Sequence, residues 1–303
     1  MSSGSILWAD AFDGSLADPF ALQHKLALTI VGSVEPQIQL AEGLRFESSL
    51  NPHATPYELH LQAHPIFSSG RRNVLRSLAL LEEAVALDPA YAPALADLAN
   101  CLQILDVNGW IENREQNRRR AKEVARLALQ ASSDAVHVAI SAFVLAYFGE
   151  NIEAAMGLLD QALALNPAFA KGWYMSGMTR LYAGQPEAAI EHFETSIQLN
   201  PRDRLARRNG AGLGMARFFS RQFDDAISLL RPIIEEFPRW STPYCVLASC
   251  HAHLGFVSDA QAISKRLGEA DATPVPNAMQ FRDTAHRQLL VPGLRLTRTS
   301  TTP

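Results

Sequence analysis

The run Gly210-Ala-Gly212-Leu-Gly214 has the composition of a phosphate-cradling loop. Such a loop needs a strand before it and a helix opening on its glycines, because backbone N–H groups at a helix start hold the anion. Here the run falls where a helix belongs, between Pro201 and the helix containing Ala226, so close helix packing through small residues is the favoured reading. His60 and His64 lie one helical turn apart and could face one metal ion. No Glu follows His60, as a zinc-protease motif requires, and no third ligand is evident, so both read as exposed or groove-lining histidines. Asp10, Asp13 and Asp18 could form a metal or acid/base set, but they lack the alternate spacing and distal Glu of a calcium loop. Capping and turn roles suit them better. His251 and His253 point to different helix faces. Cys101, Cys245 and Cys250 show neither zinc spacing nor a disulfide framework, and read as reduced buried thiols. No Ser/His/Asp or Cys/His set is supported by spacing. The expectation is no catalytic residue, no metal and no cofactor.

The densest charge is basic: Arg118, Arg119, Arg120, Lys122 and Arg126. It could meet phosphate or an acidic partner, but Ala121, Ala125 and Ala128 mark the opposite face as the packed one, so a solvated face is the simpler reading. The net charge of -4 and pI of about 6.1 argue against broad binding to nucleic acid or acidic membrane. Hydrophobic residues make up 48% and charged ones 19%, enough to bury a sizeable core. No stretch approaches the roughly 20 apolar residues of a membrane span, and Met1 to Ser5 lacks the basic start of a secretory signal. A cytoplasmic location is expected.

The elements that position these residues recur along the chain. Ala155, Ala189, Ala226 and Ala260 stand 34, 37 and 34 residues apart, and Pro167, Pro201 and Pro238 repeat with steps of 34 and 37. Leu159, Phe193 and Leu230 lie one turn beyond the first three alanines. Small residue, apolar partner and helix-ending proline together describe a stacked helix pair. The stretch from Trp173 to Pro201 resembles the tetratricopeptide pattern, with Trp173, Gly177, Ala189, Phe193 and Pro201 in place; Ser176 and Arg180 depart from its usual Leu and Tyr. Walking back, Tyr57 to Phe67, Ser77 to Ala84, Ala94 to Leu105 and Asn117 to Gln130 fit further helices. Pro89 to Pro167 is 78 residues, about ten more than two standard units of about 34. Walking forward, Tyr244, Leu247, Ala248, Gly255 and Ala260 open a last repeat. The expected fold is all-α, a solenoid of five or six antiparallel helix pairs over residues 55–270. Residues 1–50 form a non-repeat segment, and 271–303 a closing segment with a flexible tail. In the N-terminal part, Ile6 to Phe12 alternates like a strand with no partner strand in the chain, and Phe20 to Leu40 reads as helix with Leu22, Leu26, Ile30 and Val34 on one face.

A further resemblance covers nearly the whole chain. Trp8, Ala9, Asp10, Phe12, Asp18, Phe20, Leu22 and Gln23 resemble the end of the TolB-like domain that precedes tetratricopeptide repeats in certain bacterial signalling proteins. YELHLQAH, ALLEEAVALDPAYAPALADLA, NGWIENREQNRRRAKEVARLAL and DTAHRQLLVPGLRL resemble later parts of the same proteins; the tail LTRTSTTP departs from them. Many members carry an N-terminal class III adenylate/guanylate cyclase domain, and others a winged-helix DNA-binding domain. Neither is present in this sequence, so their catalysis is not carried over.

What remains is the groove. In a tetratricopeptide stack the first helix of each pair lines the concave surface. The expected groove residues are Asn100, Lys171, Tyr174, Met178, Tyr182, Arg204, Arg208, Cys245, Ser249 and His253. Aromatic, thioether and cationic groups suit an extended peptide or a partner helix. Tyr174 and Met178 stand where a carboxylate clamp would need polar residues. The expected function is a non-catalytic protein-interaction module in bacterial cytoplasmic signalling, with a homodimer possible and neither nucleic acid nor membrane as partner. The alternative is the regulatory arm of a class III cyclase or transcriptional regulator whose N-terminal domain lies outside this sequence.

Overall fold

The computed structural model describes residues 19–47, 54–64, 70–201, 206–269 and 281–299. The strand expected at 6–12, the carboxylates Asp10, Asp13 and Asp18, and the groove candidate Arg204 lie outside the described residues. Among the described residues no strand occurs, and fourteen helices follow one another. Helix α1 (Pro19–Glu47) comes first. Six pairs follow: α2 (Pro56–Ala63) with α3 (Arg71–Leu87), α4 (Ala92–Val107) with α5 (Arg114–Ala131), and α6 (Ala135–Tyr147) with α7 (Ile152–Leu165). The next three are α8 (Ala170–Ala183) with α9 (Pro186–Leu199), α10 (Ala206–Phe219) with α11 (Phe223–Glu236), and α12 (Ser241–His253) with α13 (Val257–Glu269). Helix α14 (Thr284–Thr299) ends the array. Each helix packs on its partner and on the next pair, and the first helices also touch one another in series, as a solenoid requires.

Local chemistry explains the boundaries. Thr55 and Glu58 form a reciprocal capping box at the start of α2, and the Asn113, Asp134 and Asn151 side chains cap α5, α6 and α7. Pro89, Pro167, Pro201 and Pro238 each follow the end of a second helix. The Trp173 indole donates to the Pro167 carbonyl at 2.9 Å, tying α8 to the turn before it. Ala155, Ala189, Ala226 and Ala260 are all buried, as are Leu159, Phe193 and Leu230. Phe193 occupies the space that two glycines leave. A Cβ on Gly177 would come within 2.9 Å of its ring, and one on Gly212 within 2.5 Å. Gly214 faces Leu230 in the same way, at 2.8 Å. The glycine run is thus a packing surface of α10. The two departures from the repeat pattern compensate each other: the Arg180 guanidinium donates to the Ser176 hydroxyl and, at 2.7 Å, to Asp160 Oδ1 of α7.

The extra length of the second pair is spread over three places. Helix α4 has 16 residues and α5 has 18, where α8 and α9 have 14 each, and the turn Asn108–Asn113 replaces the short Gly184–Gln185 link. The carboxylate of Asp106, fully buried at the end of α4, holds this enlarged pair together. It accepts from Arg114 at 3.2 Å and from the Tyr147 hydroxyl of α6 at 3.1 Å, with Arg118 Nε 3.4 Å away. Arg120 pairs with Glu82, and Lys122 and Arg126 with Glu150. Most of the basic run is therefore matched by carboxylates of the chain itself rather than left as a bare cationic stripe.

Helix α1 differs from the amphipathic element expected. Its Thr29 and Ser33 are buried while Ile30, Val31 and Ile38 are exposed. The reason is what α1 packs on, the backbone where second helices end. The Ser33 hydroxyl donates to the Leu199 carbonyl at 3.2 Å, and a Cβ on Gly32 would lie 2.8 Å from the Ala168 carbonyl. Only small residues allow that approach. Its coverage shows in the repeat itself. Leu87, Leu165 and Leu199 occupy equivalent positions, yet the first two are 57% and 74% exposed and Leu199 is 5% exposed.

Candidate functional site

The first helices of the pairs, α2 to α12 in even numbers, carry their C-terminal ends to one rim of the array and their N-terminal ends to the other, because every turn reverses the chain. Their faces bring polar side chains from four helices together in the N-terminal half. His60 Nε2 of α2 lies 3.0 Å from Asp97 Oδ2 of α4. His64, at the end of α2, meets His60 edge to face at 6.2 Å, and Tyr91 meets it at 6.0 Å. Burial alone would raise the Asp97 pKa. The His60 hydrogen bond and the charges of Lys171, His60 and His64 outweigh it and hold the carboxyl well below its usual range. Burial, opposed by Asp97 and reinforced by Lys171 and His60, lowers His64 to about 4. His137 of α6 is lowered by burial against the pull of Asp134 and Asp97. Lys171, on α8, is thus close enough to act on groups of α2 and α4. Asp97 is nearly buried, and its Oδ1 has no hydrogen-bond partner among the described residues. This half presents an unfilled acceptor beside cationic and aromatic groups.

The C-terminal half is apolar and aromatic. Phe218, Phe219 and Phe223 come together with His253, whose ring stacks on Phe223 at 5.2 Å. This half is covered by the chain's own end. The Ser249 hydroxyl donates to Leu290 O at 3.2 Å, and His253 Nε2 lies 2.8 Å from Leu289 O, so α14 lies along α12. Pro292 lies inside α14 and withdraws one donor from its ladder; Ser249 and His253 supply contacts to carbonyls in the preceding turn.

The expected groove residues divide accordingly. Lys171, Tyr174 and Arg208 are part-exposed and His253 is exposed, whereas Asn100, Met178, Tyr182, Cys245 and Ser249 are buried between neighbouring first helices or beneath α14. Arg208 acts on the Tyr174 hydroxyl, whose pKa burial raises. Sequence reasoning passed over Asp97 and His137. Asp97 had a signal: a carboxylate in the Ala- and Leu-rich run ALADLANCLQ, three residues before Asn100. Among the described residues no group of three or more His, Cys, Asp or Glu side chains could hold a metal ion, and no helix is long and apolar enough to cross a membrane.

Residues 170–203 match the family model described as "Tetratricopeptide repeat". In fold the chain is similar to the Cut9-Hcn1 hetero-tetramer of the APC/C, with a TM-score of 0.60 and 16% identity over 91% of this chain and 50% of that one. It is also similar to an IFIT1 monomeric mutant seen with Gppp-AAAA, with a TM-score of 0.62 and 15% identity over 84% of this chain and 61% of that one. In sequence it is 26% identical over 129 residues to a protein of Rhizobium meliloti (strain 1021) named "Putative adenylate cyclase 3". That stretch is 42% of this chain and only 22% of the Rhizobium protein. The fold is a helical solenoid of the tetratricopeptide type, with residues 170–203 as the segment that matches the repeat model.

Proposed function

We propose that the chain is a protein-interaction module of bacterial cytoplasmic signalling that takes a peptide or helix of a partner along its first-helix face. The observation that supports this is the convergence of His60, Asp97 and Lys171 from three pairs, with the part-exposed Tyr174 one turn beyond Lys171 on α8. The part-exposed Lys171 would meet a partner's carboxylate or carbonyl, and the aromatic ring of Tyr174 would cover its apolar part. The Lys171→Glu/Tyr174→Ala variant tests the reading. Partners that co-purify with the wild type are expected to be lost, with the circular-dichroism spectrum unchanged. Unchanged co-purification would overturn the groove.

The likeness to the Rhizobium protein supports a second reading, in which this chain is the regulatory arm of a nucleotide cyclase and residues 1–50 are the end of an upstream domain. The purified chain is then expected to make no cyclic nucleotide from ATP or GTP. The endogenous protein is expected to run well above 33.2 kDa with peptides upstream of Met1. A band near that mass beginning at Met1 would favour a stand-alone adaptor.

A further inference from the structure

Phe281, Arg282 and Asp283 belong to no helix, and they cross the rim where the first helices end. The Phe281 ring lies 5.7 Å from that of Tyr182 and 4.8 Å from that of Phe219. The Arg282 backbone N–H donates to Tyr182 O at 2.7 Å, and its guanidinium donates to Ala146 O at 3.3 Å. Three consecutive residues thus touch the ends of α6, α8 and α10. Asp283 then caps α14 through the Ala285 N–H at 2.7 Å.

These contacts have the form in which a groove holds a ligand. A backbone hydrogen bond fixes the register, a ring fills an aromatic socket, and a cation meets carbonyls at helix C-termini, where the helix dipole favours positive charge. The seat of the internal segment is also imperfect. His286 lies against Phe219, yet its Nδ1 is shut off from solvent with no hydrogen-bond partner among the described residues, and Pro292 interrupts the ladder of α14. Both features lower the cost of opening.

We propose that this rim socket is a second binding site, for an extended partner segment carrying an aromatic residue followed by arginine, and that Phe281-Arg282 fills it as an internal competitor. The proposal rests on the peptide-binding reading and names the peptide chemistry at the rim where α8 ends, opposite the rim where Lys171 begins it. An internal occupant reduces the affinity seen from outside by the fraction of molecules that are open, so a partner gains access in proportion to that fraction.

The probe is a fluorescein-labelled peptide copying residues 276–290, titrated into the full chain and followed by anisotropy. The Phe281→Ala/Arg282→Ala protein is expected to bind it at least tenfold more tightly than the wild type. A peptide with alanine at both positions is expected to bind that opened variant at least tenfold more weakly than the native peptide. Equal binding of both peptides, or binding of neither, to an opened variant of unchanged circular dichroism would overturn the proposal. If the double variant loses helix content, the wild type decides by hydrogen exchange. Excess peptide should speed exchange of the Arg282 amide, which the Tyr182 carbonyl protects, and unchanged exchange would count against the socket. Partner capture that still depends on Lys171 and Tyr174 while these arms fail would sink the rim socket and leave the groove reading intact.

Discussion

At the scale of single residues the stack is governed by close approach and by turn geometry, and the two make opposite predictions. Gly212 of α10 has Phe193 where its Cβ would be, at 2.5 Å, and Phe193 is itself fully buried against Gly177. Adding a methyl group there must move a ring that has nowhere to go. Gly212→Ala is therefore expected to cost about 1–3 kcal/mol, despite alanine's better helix propensity. Arg221 is the reverse case. The turns after α6, α8 and α12 place Gly149, Gly184 and Gly255 at φ of 93°, 85° and 81°, and the turn after α10 places Arg221 at φ 60°. A side chain in the left-handed region costs on the order of 1–2 kcal/mol. Arg221→Gly is expected to recover about 1 kcal/mol, reduced by the added freedom of the unfolded chain. Urea midpoints of the two variants should move in opposite directions from wild type. A lower midpoint for Arg221→Gly would mean that its side-chain contacts outweigh the strain.

At the scale of elements, sequence pattern revealed most where an element buries a regular apolar face. The Ala, Leu or Phe, and Pro periods located the pairs from α6 to α13, because each of those residues answers a packing need that recurs with every repeat. The longer second pair was legible as surplus residues, though not as a longer α4, a longer α5 and a six-residue turn. Helix α1 was legible as a helix but not in its orientation. Its dock is backbone, and a backbone dock selects small residues in place of large apolar ones. The polar centre at Asp97 was also missed, because contacts among His60, Asp97 and Lys171 span more than a hundred residues and leave no local period. The dock makes a sharp prediction. A valine at Gly32 would drive into the Ala168 and Leu199 carbonyls, 2.8 and 3.3 Å from the first added carbon. Gly32→Val is expected to release α1 while the six pairs stay folded. Amide exchange should then rise in residues 19–47, Leu199 should become exposed like Leu87 and Leu165, and the repeat amides should be unaffected. Retained protection in α1 would show that its contacts with α2 alone hold it.

At the scale of the whole molecule, each pair packs mainly on its neighbours, so stability is a chain of local interfaces rather than one shared core. One consequence follows from Asp106, fully buried between α4, α5 and α6, which joins the enlarged second pair to the third. Asp106→Ala would leave Arg114, Arg118 and the Tyr147 hydroxyl without their shared acceptor. The guanidinium groups left behind are 45% and 35% exposed and can turn to water, so the cost comes mainly from the lost hydrogen bonds and the space left beside Tyr147, about 1–3 kcal/mol. In a compact single-core domain that loss would lower one common transition. In a linear stack it should fall mainly on the interface it damages, so that α2 to α5 unfold at lower urea than α8 to α13. The chain offers local reporters for this. Trp110 lies in the turn between α4 and α5, whereas Trp173 and Trp240 lie at the starts of α8 and α12. With Trp8, Trp173 and Trp240 changed to phenylalanine, emission reports the N-terminal half; with Trp8 and Trp110 changed instead, it reports the other. Wild-type backgrounds are expected to give midpoints closer together than the Asp106→Ala backgrounds, in which the Trp110 signal moves first. Coincident midpoints in the Asp106→Ala protein would mean that the stack couples across the damaged interface strongly enough to unfold as one unit. A coupling that strong would let a contact at the Asp97 end be felt at the rim where Phe281 sits.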